Sequence, residues 1–388
     1  MRGHSNGLRR CRAHPNGQLA LSASDDGSVR LWNLRDAAAS DPPAGHEDAV
    51  TACVLCQRRG EMVVVSADSA GNAQCQPAAG EATGTLWRVH VSSVSPSCKA
   101  IAALSSCGDA TIACAMYQRV VLLSVDDGTV RSKLAFGDWA NTCASTDARL
   151  LAAAGDAGKL TVWRANATEQ VWQDAGAEVL DGMEGDLIGC ALGETAESGV
   201  WLCAGSNAGE VTVWKVADAS TRLFRLGLVG TEQSDWVLSV FMSATVDLDG
   251  VSRRLVGATV GGRLGATHIW AVDPQQEPVA GRLELDPFVS RVGVAGGEKG
   301  GVVWGGLVDD GSGLPALITA SSAKTLHLWR LRPGQKGSLR MVGMFPALGS
   351  FGSPDGIGGQ AAIAQADGAL TLAVGDQSGR MYTLEMQP

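Results

Sequence analysis

The chain has 388 residues, 18% of them charged, and a formal net charge of -9 at pH 7. This acidic balance disfavours nucleic acid as a partner, because contacts to phosphates need a basic face. No apolar run approaches the roughly 18 residues of a membrane-spanning helix, and the N-terminal MRGHSNGLRR lacks the apolar core of a signal peptide. We therefore expect no membrane span, a cytoplasmic location with the nucleus as an alternative, and reduced cysteines.

A short pattern recurs along the chain, in which a turn of small or polar residues is followed by alternating apolar positions that end in tryptophan. It reads SDDGSVRLW at 24–32, GDAGKLTVW at 155–163, SNAGEVTVW at 206–214 and SSAKTLHLW at 321–329. The alternation is typical of β-strands with one covered face, and its recurrence is typical of stacked repeats. The sequence therefore predicts an all-β repeat protein.

The position of the closing tryptophan can be followed through eight repeats. Three weak repeats carry Gln76, Ser124 or Leu384 at this position, and five clear ones carry Trp32, Trp163, Trp214, Trp270 and Trp329. Each repeat is long enough for four short strands, and Asp25-Asp26-Gly27 in the first is a tight-turn signal. We therefore expect four-stranded units throughout, with no break between domains.

The first repeat resembles the WD40 repeat, through Gly3-His4, Ser22, Asp26 and Trp32. The resemblance implies a single β-propeller over residues 1–388, with seven or eight four-stranded antiparallel blades and eight favoured. It also implies that His4, Ser22, Asp26 and Trp32 form a hydrogen-bonded tetrad that joins the strands of one blade. Such a network stabilises a blade when each donor meets an acceptor.

The remaining repeats depart from this pattern. The second has Gly45-His46 but no tryptophan, and Ala157, Ala208 and Ala323 stand where later repeats would have the aspartate. We therefore expect only the first blade to complete the tetrad. The later tryptophans are expected on the third strand of their blades, at Trp163, Trp214, Trp270 and Trp329.

No catalytic or metal-binding constellation is evident. Cys53 and Cys56 form a lone CxxC pair, and residues three apart on a strand point to opposite faces. Residues 311–316 match a loose glycine-rich nucleotide motif, but a strand and not a helix is predicted after them. We therefore expect a protein that is not an enzyme and that has no metal, no cofactor and no small-molecule substrate.

Two tryptophans occur where successive repeats should be connected by loops. Trp139 follows Asp138, and Trp236 follows Asp235. The resemblance implies that such loops gather on one rim, where partner proteins dock, and an exposed tryptophan is an effective interface anchor. Trp139, Trp236, Asp138 and Asp235 are therefore candidates for a partner-binding rim. The alternative is that each tryptophan packs inside its own blade.

The sequence favours a non-catalytic scaffold or adaptor whose partners are other proteins. A first alternative is the C-terminal sensor propeller of a larger signalling NTPase. The ending LTLAVGDQSGRMYTLEM resembles the last blade of such arrays, and Met1-Arg2 is too short to supply a closing strand. A second alternative is a propeller-based enzyme that uses Asp138, Asp156, Asp235 and Asp376.

Overall fold

Antiparallel β-strands form nearly all the regular structure of the computed structural model, which divides into two units. Unit 1 comprises Met1–Asp156, Leu160–Val179 and Gln360–Gln387, and unit 2 comprises Ala157–Lys159, Leu180–Gly359 and Pro388. The described residues are all except 1–2, 14–18, 35–37, 40–44, 79–83, 92–97, 105–109, 147–149, 166–171, 174–176, 181–182, 196–198, 217–220, 228–235, 249, 262–264, 274–288, 293–301, 309–313, 332–338, 347–360, 367–368, 377 and 387–388.

Unit 1 begins with two four-stranded sheets whose strands follow one another in chain order. The first contains β1 (Leu8–Ala13), β2 (Leu19–Ser24), β3 (Val29–Asn33) and β4 (Ala38–Ala39). The second contains β5 (Val50–Arg58), β6 (Glu61–Asp68), β7 (Asn72–Pro77) and β8 (Trp87–His90). All neighbouring strands are antiparallel, as short connections between them require.

A seven-stranded sheet follows, and its central strand belongs to two groups of four. That strand is β12 (Val130–Ser145); before it come β9 (Ala100–Leu104), β10 (Thr111–Ala115) and β11 (Tyr117–Ser124), and after it β13 (Leu150–Gly155), β14 (Leu160–Arg164) and β15 (Glu178–Leu180). Val130 to Trp139 of β12 pair with β11, whereas Ala140 to Ser145 pair with β13. One continuous strand therefore ends one group and begins the next.

The last sheet of unit 1 comes from the C-terminal part of the chain and packs against the first. Its strands are β28 (Ala361–Ala366), β29 (Ala369–Gly375) and β30 (Met381–Met386). The amide of Leu8 donates a hydrogen bond to the carbonyl of Asp376 at 3.3 Å. Met381 is buried in the same apolar cluster as Leu8 and Trp32. Burial of these side chains from water favours the contact between the two sheets.

Unit 2 contains three four-stranded antiparallel sheets. Their strands are β16 (Leu187–Thr195), β17 (Gly199–Ser206), β18 (Glu210–Lys215) and β19 (Thr221–Gly227), then β20 (Val237–Leu248), β21 (Val251–Val260), β22 (Ala266–Val272) and β23 (Val289–Val292), and finally β24 (Val302–Val308), β25 (Ala316–Ser321), β26 (Thr325–Leu331) and β27 (Leu339–Pro346). One apolar cluster joins Trp201 and Val213 of the first sheet to Val256 and Trp270 of the second.

A turn of one geometry connects the second and third strands in five of these sheets. In each turn the backbone amide of the fourth residue donates a hydrogen bond to the backbone carbonyl of the first, over 3.2 to 3.3 Å. The donor and acceptor pairs are Gly27 and Ser24, Gly71 and Asp68, Gly209 and Ser206, Lys324 and Ser321, and Gly379 and Asp376. The donor residue has a positive φ, which glycine adopts most readily. Lys324, with φ 65°, is the one donor residue of the five that is not a glycine. The repeats therefore share a turn even where their sequences differ.

The all-β expectation is confirmed. In the described ranges the one helical segment is a single 3₁₀ turn at Asp156–Gly158. The described part of the chain has no helix that is long and apolar enough to cross a membrane.

Candidate functional site

His4, Ser22, Asp26 and Trp32 form one continuous hydrogen-bonded network in the first sheet. The indole Nε1 of Trp32 donates to the Oγ atom of Ser22 at 2.7 Å, and Nε2 of His4 lies 2.7 Å from the same oxygen. Nδ1 of His4 lies 3.0 Å from Oδ2 of Asp26. Because Ser22 accepts from the indole, its single proton is free to bond to Nε2. This assigns the imidazole proton to Nδ1, facing the carboxylate.

The carboxylate of Asp26 is held by further donors in its own turn. It accepts from the amides of Ser5 and Ser28, each at 2.9 Å, and from the hydroxyl of Ser28 at 2.6 Å. Burial alone would raise the pKa of Asp26, but the hydrogen bonds from Ser28 and Ser5 lower it to about 2. Burial lowers the pKa of His4, which outweighs its attraction to Asp26. The pair is therefore an ionised carboxylate facing a neutral imidazole near neutral pH.

The second sheet has a related network that sequence reasoning missed. Nδ1 of His46 lies 2.8 Å from Oδ2 of Asp68, and Nε2 of His46 lies 2.8 Å from Oγ of Ser66. Asp68 occupies the turn position of Ser24, whereas Ala70 occupies the position of Asp26. Burial acts to raise the pKa of Asp68, but its bonds from His46 and Asn72 hold that pKa below its usual value. In the second sheet, the carboxylate that contacts the histidine therefore comes from a turn position two residues earlier than in the first sheet.

Gln76 stands in the second sheet where Trp32 stands in the first. Gln76 pairs with Val64 across the sheet, as Trp32 pairs with Ala20. The glutamine is buried, with 3% of its surface exposed. The sequence register for this weak repeat agrees with the strand pairing, although its network includes no indole.

The four later tryptophans all lie on the third strand of their groups. Trp163, Trp214 and Trp270 are buried in β14, β18 and β22. Trp329 in β26 is half-buried, and its Nε1 donates to Oγ1 of Thr319 at 3.0 Å. Thr319 therefore accepts the indole hydrogen bond of Trp329, as Ser22 accepts that of Trp32. This sheet retains the half of the network that joins its second and third strands.

Trp139 lies within strand β12 and not in a loop, which corrects the location expected from the sequence. Strand pairing continues to the end of this half of β12, where Trp139 lies opposite Tyr117. The two rings have centroids 5.0 Å apart, and Nζ of Lys99 lies 5.3 Å from the Trp139 ring. Asp138 accepts the Trp139 amide at 2.8 Å. The half-buried Trp139 therefore fits the packing alternative.

Trp236 has a different environment. It immediately precedes β20, and 47% of its surface is exposed. Its carbonyl accepts the amide of Gly261 at 2.7 Å, which fixes the backbone while leaving the ring accessible. Asp235, the fourth rim candidate, lies outside the described residues.

The other aspartates considered for catalysis that are described accept hydrogen bonds from neighbouring residues of the fold. Asp156 accepts from the amide group of Asn141 at 2.7 Å. Asp376 is fully buried and accepts from the backbone of Ser378 and Arg380 and from the hydroxyl of Tyr382. In the portion of the chain that is described, no group of three or more His, Cys, Asp or Glu side chains is arranged to hold a metal ion.

The CxxC pair consists of free thiols. Cys53 is buried and Cys56 is half-buried, and burial raises the pKa of each thiol to about 12. A thiol with such a pKa is protonated near neutral pH, and the thiolate is the form that reacts and binds metals. This pair therefore lacks the electrostatic setting of a redox or zinc site.

Stacked groups of four antiparallel strands define the β-propeller class of fold. A profile of the family described as "WD domain, G-beta repeat" matches residues 1–33. No curated protein has a sequence that matches this chain. The family match covers the first repeat, and the similar structures described next share the fold.

Several solved structures share the fold at low sequence identity. Sqt1 of Saccharomyces cerevisiae has a TM-score of 0.71 at 13% identity, covering 100% of this chain and 98% of that one. The computationally designed Ika8 protein has a TM-score of 0.68 at 14% identity, covering 99% and 98%. The WD40 repeats of RRP9 have a TM-score of 0.56 at 16% identity, covering 98% and 91%. At these identities the similarity concerns the fold alone.

Proposed function

We propose that this protein is a non-catalytic scaffold or adaptor of the cytoplasm or nucleus, which binds other proteins through loops at a rim of its WD40 blades. The observation that carries the proposal is the exposure of Trp236. The structure describes all eleven tryptophans, and Trp236 alone among them is exposed. A large, rigid ring of this kind gains much buried area when a partner covers it.

The environments of the other candidate residues support a role in binding rather than in catalysis. Asp138, Asp156 and Asp376 each accept hydrogen bonds from their own surroundings. A catalytic site needs a nucleophile, a base and a stabilising group within reach of one another. The alternatives of a propeller-based enzyme and of a sensor propeller in a larger signalling NTPase remain predictions from the sequence.

Affinity capture followed by mass spectrometry tests the scaffold proposal. Trp236→Ala should lose a subset of partners that the unmodified protein retains. Val251→Ala is the matched control, because Val251 is 44% exposed in the same unit and its truncation should leave the partner set unchanged. Both variants should keep the far-UV circular dichroism of the unmodified chain. An identical partner set for all three proteins would show that Trp236 is no anchor.

We further propose that residues 1–388 form one propeller domain of eight blades. Five separate four-stranded sheets, two groups of four that share β12 and the three-stranded sheet near the C-terminus support this number. Differential scanning calorimetry tests the single domain. One transition is expected, with calorimetric and van't Hoff enthalpies that agree, whereas two resolved transitions would contradict it.

A further inference from the structure

Arg254 is a buried charged side chain whose described contacts are with the neutral side chains of Trp201 and Met242. It lies on β21 in unit 2, and its exposed surface is 0%. The guanidinium carbon lies 5.4 Å from the ring centroid of Trp201, and Nη1 donates to the sulfur of Met242 at 3.2 Å. A thioether is a weak acceptor, and an aromatic face carries no formal charge. Neither neighbour neutralises the guanidinium.

Two of the three nitrogens of Arg254 have no hydrogen-bond partner in the described part of the chain. Among the described residues, Nε and Nη2 are buried and make no hydrogen bond. The N–H groups of these two nitrogens project in parallel from one edge of the planar guanidinium. This edge matches the two oxygens of a carboxylate, which accept such parallel bonds together.

Arg253, the residue before Arg254, forms an ion pair with an acidic side chain. Arg253 is partly exposed, and its Nη1 lies 2.6 Å from Oδ2 of Asp273. The arginine that water can also solvate is thus paired with an acid, whereas the one removed from water has no acid partner among the described residues. An isolated buried charge is strongly disfavoured, so a counterion is expected beside Nε and Nη2.

The space for the guanidinium depends on Gly193 of the adjacent sheet. A Cβ atom at position 193 would come within 2.7 Å of Nη1 of Arg254 and within 2.9 Å of the Met242 sulfur. Gly193 and Met242 are both half-buried, so Arg254 lies directly beneath residues that reach the surface. Methionine has three rotatable bonds, so Met242 can change its rotamer above the guanidinium.

We propose that Arg254 is a carboxylate-binding site, in which Nε and Nη2 donate two parallel hydrogen bonds to a carboxylate that the described residues do not supply. Gly193 provides the space for this arginine, and Trp201 and Met242 hold the guanidinium plane. The site goes beyond the scaffold function, since it gives the chain a chemically defined ligand at a position other than Trp236.

Titration of the full chain with formate tests the proposal, with the Arg254 Nε–H resonance followed by NMR. Saturable shifts with sodium formate, and none with sodium chloride at equal ionic strength, are expected. Calorimetric titration should show binding at least tenfold weaker for Arg254→Lys, which keeps the charge without the paired donors. Binding should be lost in Arg254→Met and in Gly193→Ala and unchanged in Arg253→Met, the matched control. Arg254→Met should fold at least as stably as the unmodified chain, because it replaces an unpaired buried charge with an apolar side chain of similar length.

N-acetylglutamate amide, a mimic of an acidic protein side chain, distinguishes the two sources of a carboxylate. Binding of both probes supports a site open to a partner's side chain, and binding of formate alone supports a site for a small free carboxylate. Absence of saturable binding by either probe would overturn the proposal and leave water as the occupant of the open edge. Formate binding that persists in Arg254→Met would overturn it equally.

Discussion

The Nδ1 atom of His46 lies 2.8 Å from Oδ2 of Asp68, and their side chains are 0% and 1% exposed. In the first sheet His4 makes the same contact with Asp26, which is placed two residues later in its turn. Both positions bring a carboxylate within reach of the imidazole that precedes the sheet. The network therefore depends on where the carboxylate is in space and tolerates a change in its place along the chain.

The two arrangements should be interchangeable. Asp68→Ser removes the partner of His46 and should lower the free energy of unfolding by about 1–3 kcal/mol. Adding Ala70→Asp recreates the Ser24 and Asp26 arrangement of the first turn and should restore most of the loss. Urea unfolding of both variants provides the measurement. If Ala70→Asp gives no recovery in the Asp68→Ser background, the two turn positions are not equivalent.

Ser22 is the hydroxyl that joins the indole to the imidazole in the first sheet. Ser22→Ala leaves Nε1 of Trp32 and Nε2 of His4 buried without their partner, and we expect a loss of about 1–3 kcal/mol. Ser5→Ala is the control, because the Ser5 side chain is exposed and should change stability by less than about 0.5 kcal/mol. Equal effects of the two substitutions on urea unfolding would contradict a stabilising role for the network.

The same network predicts how stability depends on pH. The folded-state pKa of His4 lies below its ordinary value of 6.5, so protonation favours the unfolded chain and stability falls as pH drops below 6.5. Asp26 titrates at about 2 instead of 3.8, so its contribution is present above pH 3.8 and is lost as pH falls towards 2. The stability difference between the unmodified chain and His4→Ala should therefore shrink between pH 7 and pH 5. If urea unfolding gives the same stability difference between the two proteins at pH 7 and pH 5, the pKa of His4 is not lowered in the folded state.

Lys324 adopts the left-handed backbone that glycine adopts in the equivalent turns. Lys324→Gly should raise stability by up to about 1 kcal/mol, because it removes the steric cost of this conformation but increases the freedom of the unfolded chain. Gly209→Ala makes the reverse change in another turn and should lower stability by a comparable amount or more. The melting temperatures of the two variants and of the unmodified chain give the comparison. A lower melting temperature for Lys324→Gly would show that the backbone at Lys324 is not strained.

Trp139 and Trp236 should respond oppositely to truncation. Trp139→Ala removes a half-buried ring that packs against Tyr117 and should lower stability by about 1 kcal/mol or more. Trp236→Ala removes an exposed ring and should leave the melting temperature nearly unchanged. A larger drop for Trp236→Ala would show that its ring has a structural role, and the interface proposal would then lose its main support.

The strand alternation allowed the all-β fold and the third-strand tryptophans to be predicted. The sequence hides Asp68 because Asp26 of the first repeat directly precedes the turn glycine, whereas in the second repeat Ala70 has that position and Asp68 lies two residues earlier. Trp139 was misplaced because Gly137-Asp138 has the composition of a turn. In the structure the register shifts at these residues and Gly137 has φ 94°, but strand pairing resumes at Trp139. Tertiary pairing overrides such local preferences.

Arg254 was within reach of sequence reasoning. It has the same parity along β21 as Val256, Ala258 and Val260, which are all buried. Leu255, Gly257 and Thr259, of the opposite parity, are buried as well, so Arg254 adjoins a mainly apolar run that is covered on both faces. That no described acid lies beside it could be learned only from the packing of neighbouring strands, which the sequence does not encode locally.

The continuity of β12 restricts how this part of the chain can be rearranged. Because side chains alternate with a period of two, one residue inserted into the regularly paired stretch Ser132 to Ala135 would turn the residues before it over relative to those after it. The two groups that share β12 can therefore be duplicated, exchanged or removed only as a pair. A circular permutation or domain insertion designed for this protein would have to open the chain elsewhere.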